Sequence, residues 1–348
     1  MTAADLIAGI LWVALTAYAV LAGADFGGGV WDILARGPRA AEQRRAISDA
    51  MGPVWEANHV WLIFMITGLF TAFPAAFGAL ASALYVPFTI ALLGIVLRGA
   101  AFAFRAHGAE VAGALSAWGV VFGSASIVTP VFLGAALAAA GGGFIVVSGG
   151  RVTTGFFAGW TTPLAAVLGL FALAVCAYLA ATYLTVETED RPDLQADFRR
   201  RALLAGLVAG GLALLALPVA WLQAPRLLES LTGRGLPLFL LALVNGPLAV
   251  WAVWRGRPRV ARLAVVAQVA LVLWALAAGQ WPYLVPPSLT IAGTAAPAAT
   301  LNAMLVVVGA GSALLLPSLW LLFGVFKARN PGASVATHLP DERRGLDL

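Results

Sequence analysis

Charged residues are scarce in this chain. Of the 348 residues, 11% are charged and 61% are hydrophobic, whereas a soluble domain carries roughly 25% charged residues. Too few polar side chains remain to cover so much apolar surface in water. This composition excludes a soluble enzyme, a disordered protein and a nucleic-acid-binding protein, and it predicts a multi-pass membrane protein.

Cysteine and histidine are also rare, which limits redox and metal chemistry. The single cysteine, Cys176, excludes an internal disulfide, a Cys-x-x-Cys motif and a haem-attachment motif. The three histidines are His59, His107 and His338. A haem held by two histidines needs both at membrane depth, and we expect only His59 to lie there. We therefore predict that this chain binds no haem or metal by itself and that His59 is a hydrogen-bonded packing residue.

Nine apolar segments each approach the roughly 20 residues that a helix needs to cross a bilayer. They lie at residues 5–30, 54–73, 76–97, 111–140, 160–185, 202–222, 236–254, 260–279 and 300–326. Pro74 follows the second segment and discourages helical continuation, which predicts a tight turn at that point. The predicted fold class is an all-α polytopic membrane protein with nine transmembrane helices.

The basic residues are distributed unevenly between the connections of these helices. With the N-terminus placed outside, 18 of the 21 lysine and arginine residues fall on the inner side, and the outer side keeps only Arg151, Arg226 and Arg234. Inner connections of membrane proteins carry an excess of Lys and Arg, so the predicted orientation is N-out and C-in. The stretch 280–299 is then an outer loop that is ordered or re-entrant.

Two acidic residues, Asp25 and Glu56, lie within the apolar segments, where an ionisable side chain costs about 2.5–3.5 kcal/mol at a helix centre. At 1.5 Å of rise per residue, Asp25 lies about 14 Å from the inner end of the first helix, and Glu56 lies about 5 Å into the second. Carboxyl groups in such sites can load and release protons. Their position in one leaflet predicts a proton path from the cytoplasm.

Both carboxylates also have structural interpretations, which stay open at this point. Glu56 lies in the first turn of its helix, where a carboxylate favours the positive end of the helix dipole. Asp25 could instead be a buried hydrogen-bond partner of Asn58, His59 or Arg98.

Glycines surround Asp25 in the first segment. Gly23 and Gly27 form a small-xxx-small pair, and small residues let membrane helices approach closely. The run is not a phosphate-binding loop, because it lacks the strand-to-helix context. We therefore expect Gly23 and Gly27 to be helix-packing positions.

Several strings resemble subunit II of the cytochrome bd-type quinol oxidases, most densely over residues 23–105. They are GADFGGGVWDIL, RRAISDAMGPVWEANHVWLIF, LFTAFPAAF, LRGAAFAFR and, before the last helix, WPYLVPPSLT. GPVWEANHVW is the specific motif among them. The resemblance implies two four-helix bundles plus one peripheral helix, paired with a subunit I of similar architecture. The corresponding divisions are 1–140 for the first bundle, 141–279 for the second, 280–326 for the outer loop and ninth helix, and 327–348 for a cytoplasmic tail.

The resemblance also implies a function. Such a complex of the bacterial inner membrane is an electrogenic oxidoreductase that oxidises a membrane quinol and reduces oxygen to water with cytoplasmic protons. Its low-spin haem b, high-spin haem b and haem d belong to subunit I, so this chain is a necessary partner with no catalytic residue or metal ligand of its own. The resemblance also allows a structural quinone in this chain and small accessory single-helix subunits, without assigning residues to either.

Residue by residue, the acidic position in the first helix of the family falls on Asp25, and its Trp-acid-x-Asn motif falls on Trp55–Asn58. Some members carry aspartate at the position of Glu56 and glutamine at that of His59. We assign the proton path to Asp25, Glu56 and Asn58, with supporting polar or packing roles for Trp55, His59, Gly23, Gly27 and Arg98. A proton-coupled secondary transporter and a structural scaffold without a proton role remain the rival hypotheses.

Overall fold

The computed structural model describes residues 2–51, 55–107 and 117–328 of the chain. This part is almost entirely helical, with two short β-hairpins. In chain order its elements are α1 (Ala3–Ile33), α2 (Ala40–Met51), α3 (Trp55–Ala72), α4 (Pro74–Ala83), α5 (Tyr85–His107), α6 (Ala117–Gly141), β1 (Val147–Ser148), β2 (Arg151–Val152), α7 (Pro163–Glu187), α8 (Pro192–Gln223), α9 (Pro225–Thr232), α10 (Leu236–Trp254), α11 (Pro258–Gln280), β3 (Tyr283–Val285), β4 (Leu289–Thr290), α12 (Ile291–Thr294) and α13 (Ala298–Ala328).

The all-helical, multi-pass prediction is confirmed. Within the described ranges, eight helices are long and apolar enough to cross a membrane, and the number becomes nine if α3 and α4 together form one span. These two helices are bent by 120° relative to each other. The predicted tail, 327–348, lies outside the described residues from position 329 onward.

The predicted second and third segments are divided differently in the structure. The predicted turn at Pro74 is confirmed, because Phe73 leaves helical geometry (φ −136°, ψ 61°) and Pro74 begins α4. A second break, which was not predicted, occurs at Leu84, so segment 76–97 is not one helix. Its cause is Pro87, which has no N–H to donate to the carbonyl four residues earlier and would clash with it.

Helix α1 lies at the centre of the fold and packs against α3, α6, α7 and α11. Glycines permit the closest of these approaches. A Cβ at Gly27 would lie 1.9 Å from the backbone oxygen of Cys176 in α7, and one at Gly29 would lie 2.1 Å from Ser126 Oγ in α6. The contact at Gly23 is looser, since its Cβ would meet only the flexible end of Leu179 at 3.1 Å. Close backbone approach is how membrane helices gain packing energy without a hydrophobic driving force.

The short helix α2 ties the end of α1 to α8. Arg39, just before α2, donates two hydrogen bonds to the carboxylate of Asp197 in α8, at 2.9 and 2.7 Å. Arg44 of α2 donates to the backbone oxygens of Asp32 and Ala35, at 3.4 and 2.9 Å. A basic side chain at this position satisfies carbonyls that the end of an α-helix leaves unbonded.

The stretch 280–299 is ordered, as predicted. Strands β3 and β4 pair antiparallel, and α12 follows them directly. Val285 is completely buried, and the backbone N–H of Val147 in the other hairpin donates to Ser288 Oγ at 3.2 Å. The two hairpins therefore form one connected cap over the same end of the helices.

The contact at Gly27 predicts a large effect of a single methyl group. We expect Gly27→Ala to force α1 away from α7 and to lower the thermal unfolding temperature of the full-length chain in detergent, with a cost above the roughly 1–3 kcal/mol of ordinary overpacking. Gly9→Ala, in the same helix, is the control, because its new Cβ meets nothing within 4 Å. Equal unfolding temperatures for the two variants would contradict this account of the α1–α7 contact.

Candidate functional site

A buried ion pair joins the middle of the fold. Arg98 of α5 donates to both carboxylate oxygens of Asp25 in α1, with Nη1 to Oδ2 at 2.7 Å and Nη2 to Oδ1 at 2.6 Å. The side chains are 3% and 1% exposed, respectively. Of the partners considered for Asp25 from the sequence, the structure places Arg98 in direct contact with it. The two-point geometry is the strong form of an arginine–carboxylate interaction.

Arg98 has further partners besides the carboxylate. Its Nε donates to Ser126 Oγ in α6 at 3.0 Å, and its Nη2 also donates to the backbone oxygen of Asp25 at 3.0 Å. The guanidinium carbon lies 5.2 Å from the ring centre of Phe26 and 4.7 Å from that of Phe122. Aromatic faces attract a cation in such a position. The arginine is therefore held by contacts that do not depend on the charge of the Asp25 side chain.

A second acid–arginine pair lies two helical turns further along the same two helices. Arg105 Nη1 donates to Asp32 Oδ2 at 3.0 Å, and Nη2 donates to Oδ1 at 3.3 Å. The acids are seven residues apart in α1 and the arginines are seven residues apart in α5. Seven residues correspond to a rise of about 10 Å. The pairs therefore form two levels of one ladder between α1 and α5.

Sequence reasoning missed Asp32, because it lies near the edge of the first apolar segment. The structure places its side chain at 2% exposure. The equal spacing of Asp25 and Asp32, and of Arg98 and Arg105, was the signal that could have indicated it. Residues seven apart fall on nearly the same face of a helix, so two helices with matching spacing can pair twice.

Asn58 and His59 lie on the side of α3 that faces α1. Asn58 Nδ2 donates to the backbone oxygen of Leu21 at 3.4 Å, and Asn58 is 3% exposed. The His59 ring packs edge-on against Tyr18 and Phe26, with centroid distances of 6.3 and 6.4 Å. These contacts fasten α3 beside Asp25 and give His59 a packing role.

The remaining predicted site residues are Trp55 and Glu56. They begin α3, which puts Glu56 in the first turn of the helix. Their side chains lie outside the described part of the structure. In the described residues, no cluster of three or more His, Cys, Asp or Glu side chains is arranged to hold a metal ion.

Tyr18 extends the polar positions of α1 by another two turns beyond Asp25. Its side chain is buried, at 5% exposure, and its hydroxyl has no hydrogen-bond partner among the described residues. Tyr18, Asp25 and Asp32 therefore place polar groups at intervals of seven residues along one helix. The three side chains therefore lie on one face of α1, at three successive levels along the helix.

Comparison with known proteins gives the chain a family. The family described as cytochrome bd terminal oxidase subunit II matches residues 3–326. A Bacillus subtilis protein provisionally named as subunit II of a cytochrome bd menaquinol oxidase is 22% identical over 333 residues, 91% of this chain and 93% of that protein. Subunit 2 of the Escherichia coli cytochrome bd-I ubiquinol oxidase is 29% identical over 218 residues, 62% of this chain and 55% of that protein.

The fold has a counterpart among solved structures. A chain of the bd oxidase from Geobacillus thermodenitrificans superposes with a TM-score of 0.73 at 24% identity, covering 95% of this chain and 100% of that chain. The family match and the shared fold extend over nearly the whole molecule. The chain therefore belongs to the cytochrome bd terminal oxidase subunit II family, which makes it a multi-pass membrane subunit that partners a subunit I in a haem-containing quinol oxidase complex.

Proposed function

We propose that this subunit supplies the complex with a proton path from the cytoplasm, through Asp25, Glu56 and Asn58. Reduction of oxygen to water consumes protons, and these must cross part of the membrane to reach the haems. The observation that supports the proposal is the burial of the Asp25 carboxylate, at 1% exposure, inside a helix that is apolar enough to span the membrane. Intramembrane acids of this kind are most often functional.

Arg98 has partners that remain in place if Asp25 takes up a proton. When the carboxylate oxygen takes up a proton, the ion pair with Arg98 weakens. Arg98 still donates to Ser126 Oγ and to the Asp25 backbone oxygen, and it still faces two aromatic rings. The arginine is therefore not left as an isolated buried charge, which is the costly outcome when one member of a buried pair is removed.

The number, grouping and orientation of the membrane spans, and the placement of the haems, are part of the same proposal. We place nine spans in two four-helix bundles plus one peripheral helix, N-out and C-in, in the bacterial inner membrane. The unequal distribution of basic residues supports this orientation. We assign the low-spin haem b, the high-spin haem b and haem d to subunit I, and the electron donor is a membrane quinol. A structural quinone in this chain and accessory single-helix subunits remain predictions.

A proton-coupled secondary transporter is not favoured. Membership of an oxidase subunit family accounts for the intramembrane acid without a transported substrate. The buried charges in the described spans are also paired with each other, as Asp25 with Arg98 and Asp32 with Arg105. Among the described residues, these two acids and two arginines are therefore engaged with each other.

The complex itself can be tested by isolating this chain from its native membrane in mild detergent. We expect a second polytopic subunit to co-purify, and we expect the reduced-minus-oxidised visible spectrum to contain haem b and haem d bands. The reason is that the haems are assigned to subunit I, which this chain must accompany. An intact two-subunit complex without haem bands would contradict the oxidase function.

Neutral substitutions test the proton path in the assembled oxidase. We expect Asp25→Asn and Glu56→Gln to lower oxygen turnover about tenfold or more, because positioned proton-transfer groups typically contribute at least that much. Haem content, measured in the same samples, reports whether the complex has assembled.

The double variant Asp25→Asn/Arg98→Gln distinguishes loss of a proton-transfer group from the effect of leaving Arg98 without its ion-pair partner. It removes both charges of the pair, so it leaves no unpaired arginine. Continued low turnover with normal haem content would support the proton role of Asp25. Recovery of turnover in the double variant would assign the single-variant defect to the uncompensated Arg98 and would count against the path.

A further inference from the structure

The pair Asp32–Arg105 occupies an electrostatically unfavourable position for a carboxylate. Asp32 lies in the last turn of α1, and that turn contains no basic residue of its own. The C-terminal end of a helix carries partial negative charge, which disfavours an acid there. Arg44 compensates the backbone by donating to the Asp32 carbonyl oxygen, and Arg105 from α5 pairs with the carboxylate. A buried acid kept at such a place suggests a use beyond packing.

Exposure changes along the ladder. In the Asp25–Arg98 pair the side chains are 1% and 3% exposed, whereas Arg105 in the Asp32–Arg105 pair is 16% exposed. The arginine of the second pair therefore reaches closer to the surface, while the Asp32 carboxylate beside it is 2% exposed. It lies toward the end of α1 that the distribution of basic residues assigns to the cytoplasm.

Phe122 of α6 contacts both levels of the ladder. Its ring centre lies 4.7 Å from the guanidinium carbon of Arg98 and 5.4 Å from that of Arg105. One buried ring therefore contacts both cations and helps to hold them at separate depths. The ladder has a fixed geometry, and its two carboxylates are about 10 Å apart along the helix.

We propose that Asp32 is the cytoplasmic relay that delivers protons to Asp25, with Arg105 as its positioning residue; this rests on the proposed proton path. A proton from water at the inner surface bonds to a carboxylate oxygen of Asp32, and Arg105 stays cationic. The O–H bond at Asp32 then breaks as the proton passes to water between the levels, and a new O–H bond forms on Asp25. The step is a proton transfer only and requires no oxidant or reductant.

The alternative is a structural lock, in which Asp32 and Arg105 only hold α1 against α5. Three variants of the assembled oxidase in proteoliposomes separate the two roles: Asp32→Asn, Asp32→Asn/Arg105→Gln and Asp32→Glu. The double variant keeps polar side chains on both helices without an unpaired charge, and Asp32→Glu keeps a carboxylate. Asp197→Asn is the matched control, because it breaks an ion pair with Arg39 that lies outside the ladder.

We expect both neutral variants to retain their haems and to lose oxygen turnover and proton uptake by about tenfold or more. Asp32→Glu should keep most of both rates, and Asp197→Asn should behave like the parent complex. Recovery of turnover in the double variant, or loss of haem from both neutral variants, would identify a structural lock and overturn the proposal.

Asp25→Asn/Arg98→Gln, measured alongside, distinguishes this inference from the proposed function. If that variant is slow while the Asp32 variants keep normal turnover, the relay is overturned and the path through Asp25 stands. If both sets keep normal turnover with intact haems, the path and the relay both fail. The relay also fails if only the Asp32 variants are slow, because the two acids act in series.

Discussion

Burial of the Asp25–Arg98 pair is the constraint on which the centre of this subunit depends. Removing two charges from water costs several kcal/mol per ion, and only close, well-oriented partners offset that cost. The pair meets this condition through its two-point contact, the Ser126 hydroxyl and two aromatic rings. These groups come from α1, α5 and α6, so the three helices must hold a single relative position. Glycines in α1, which remove side-chain bulk at Gly27 and Gly29, allow that position.

The same constraint shapes what the interior can do. Each level of the ladder is neutral as an ion pair, so an arriving proton adds one positive charge to a region that already holds its arginine by other contacts. A lone carboxylate or a lone arginine at this depth would cost far more. Stability and the proposed proton transfer therefore require the same arrangement, an acid next to an arginine that has other partners as well.

Local breaks in the helices followed from the sequence only in part. The turn at Pro74 could be predicted because a proline ends a helix by its own chemistry. The break at Leu84 was missed, although Pro87 causes it in the same manner, because apolar composition alone does not divide a continuous hydrophobic stretch. The helix α2 was also missed, since it is amphipathic and too short to cross a membrane. Its significance lies in contacts with distant residues, such as Arg39 with Asp197.

Composition and patterning by themselves determined the membrane class, most of the apolar helical segments, the asymmetry of basic residues and the presence of an unusual acid at Asp25. These properties depend on transfer from water to lipid. The motif around Glu56 and Asn58 indicated the family. Only the tertiary structure decided that Asp25 pairs with Arg98. The same holds for the burial of Asp32 beside Arg105. Each ion pair requires two side chains 73 positions apart to meet within hydrogen-bond distance. The matching seven-residue spacing is compatible with two such pairs, but only the packing of α1 against α5 brings them together.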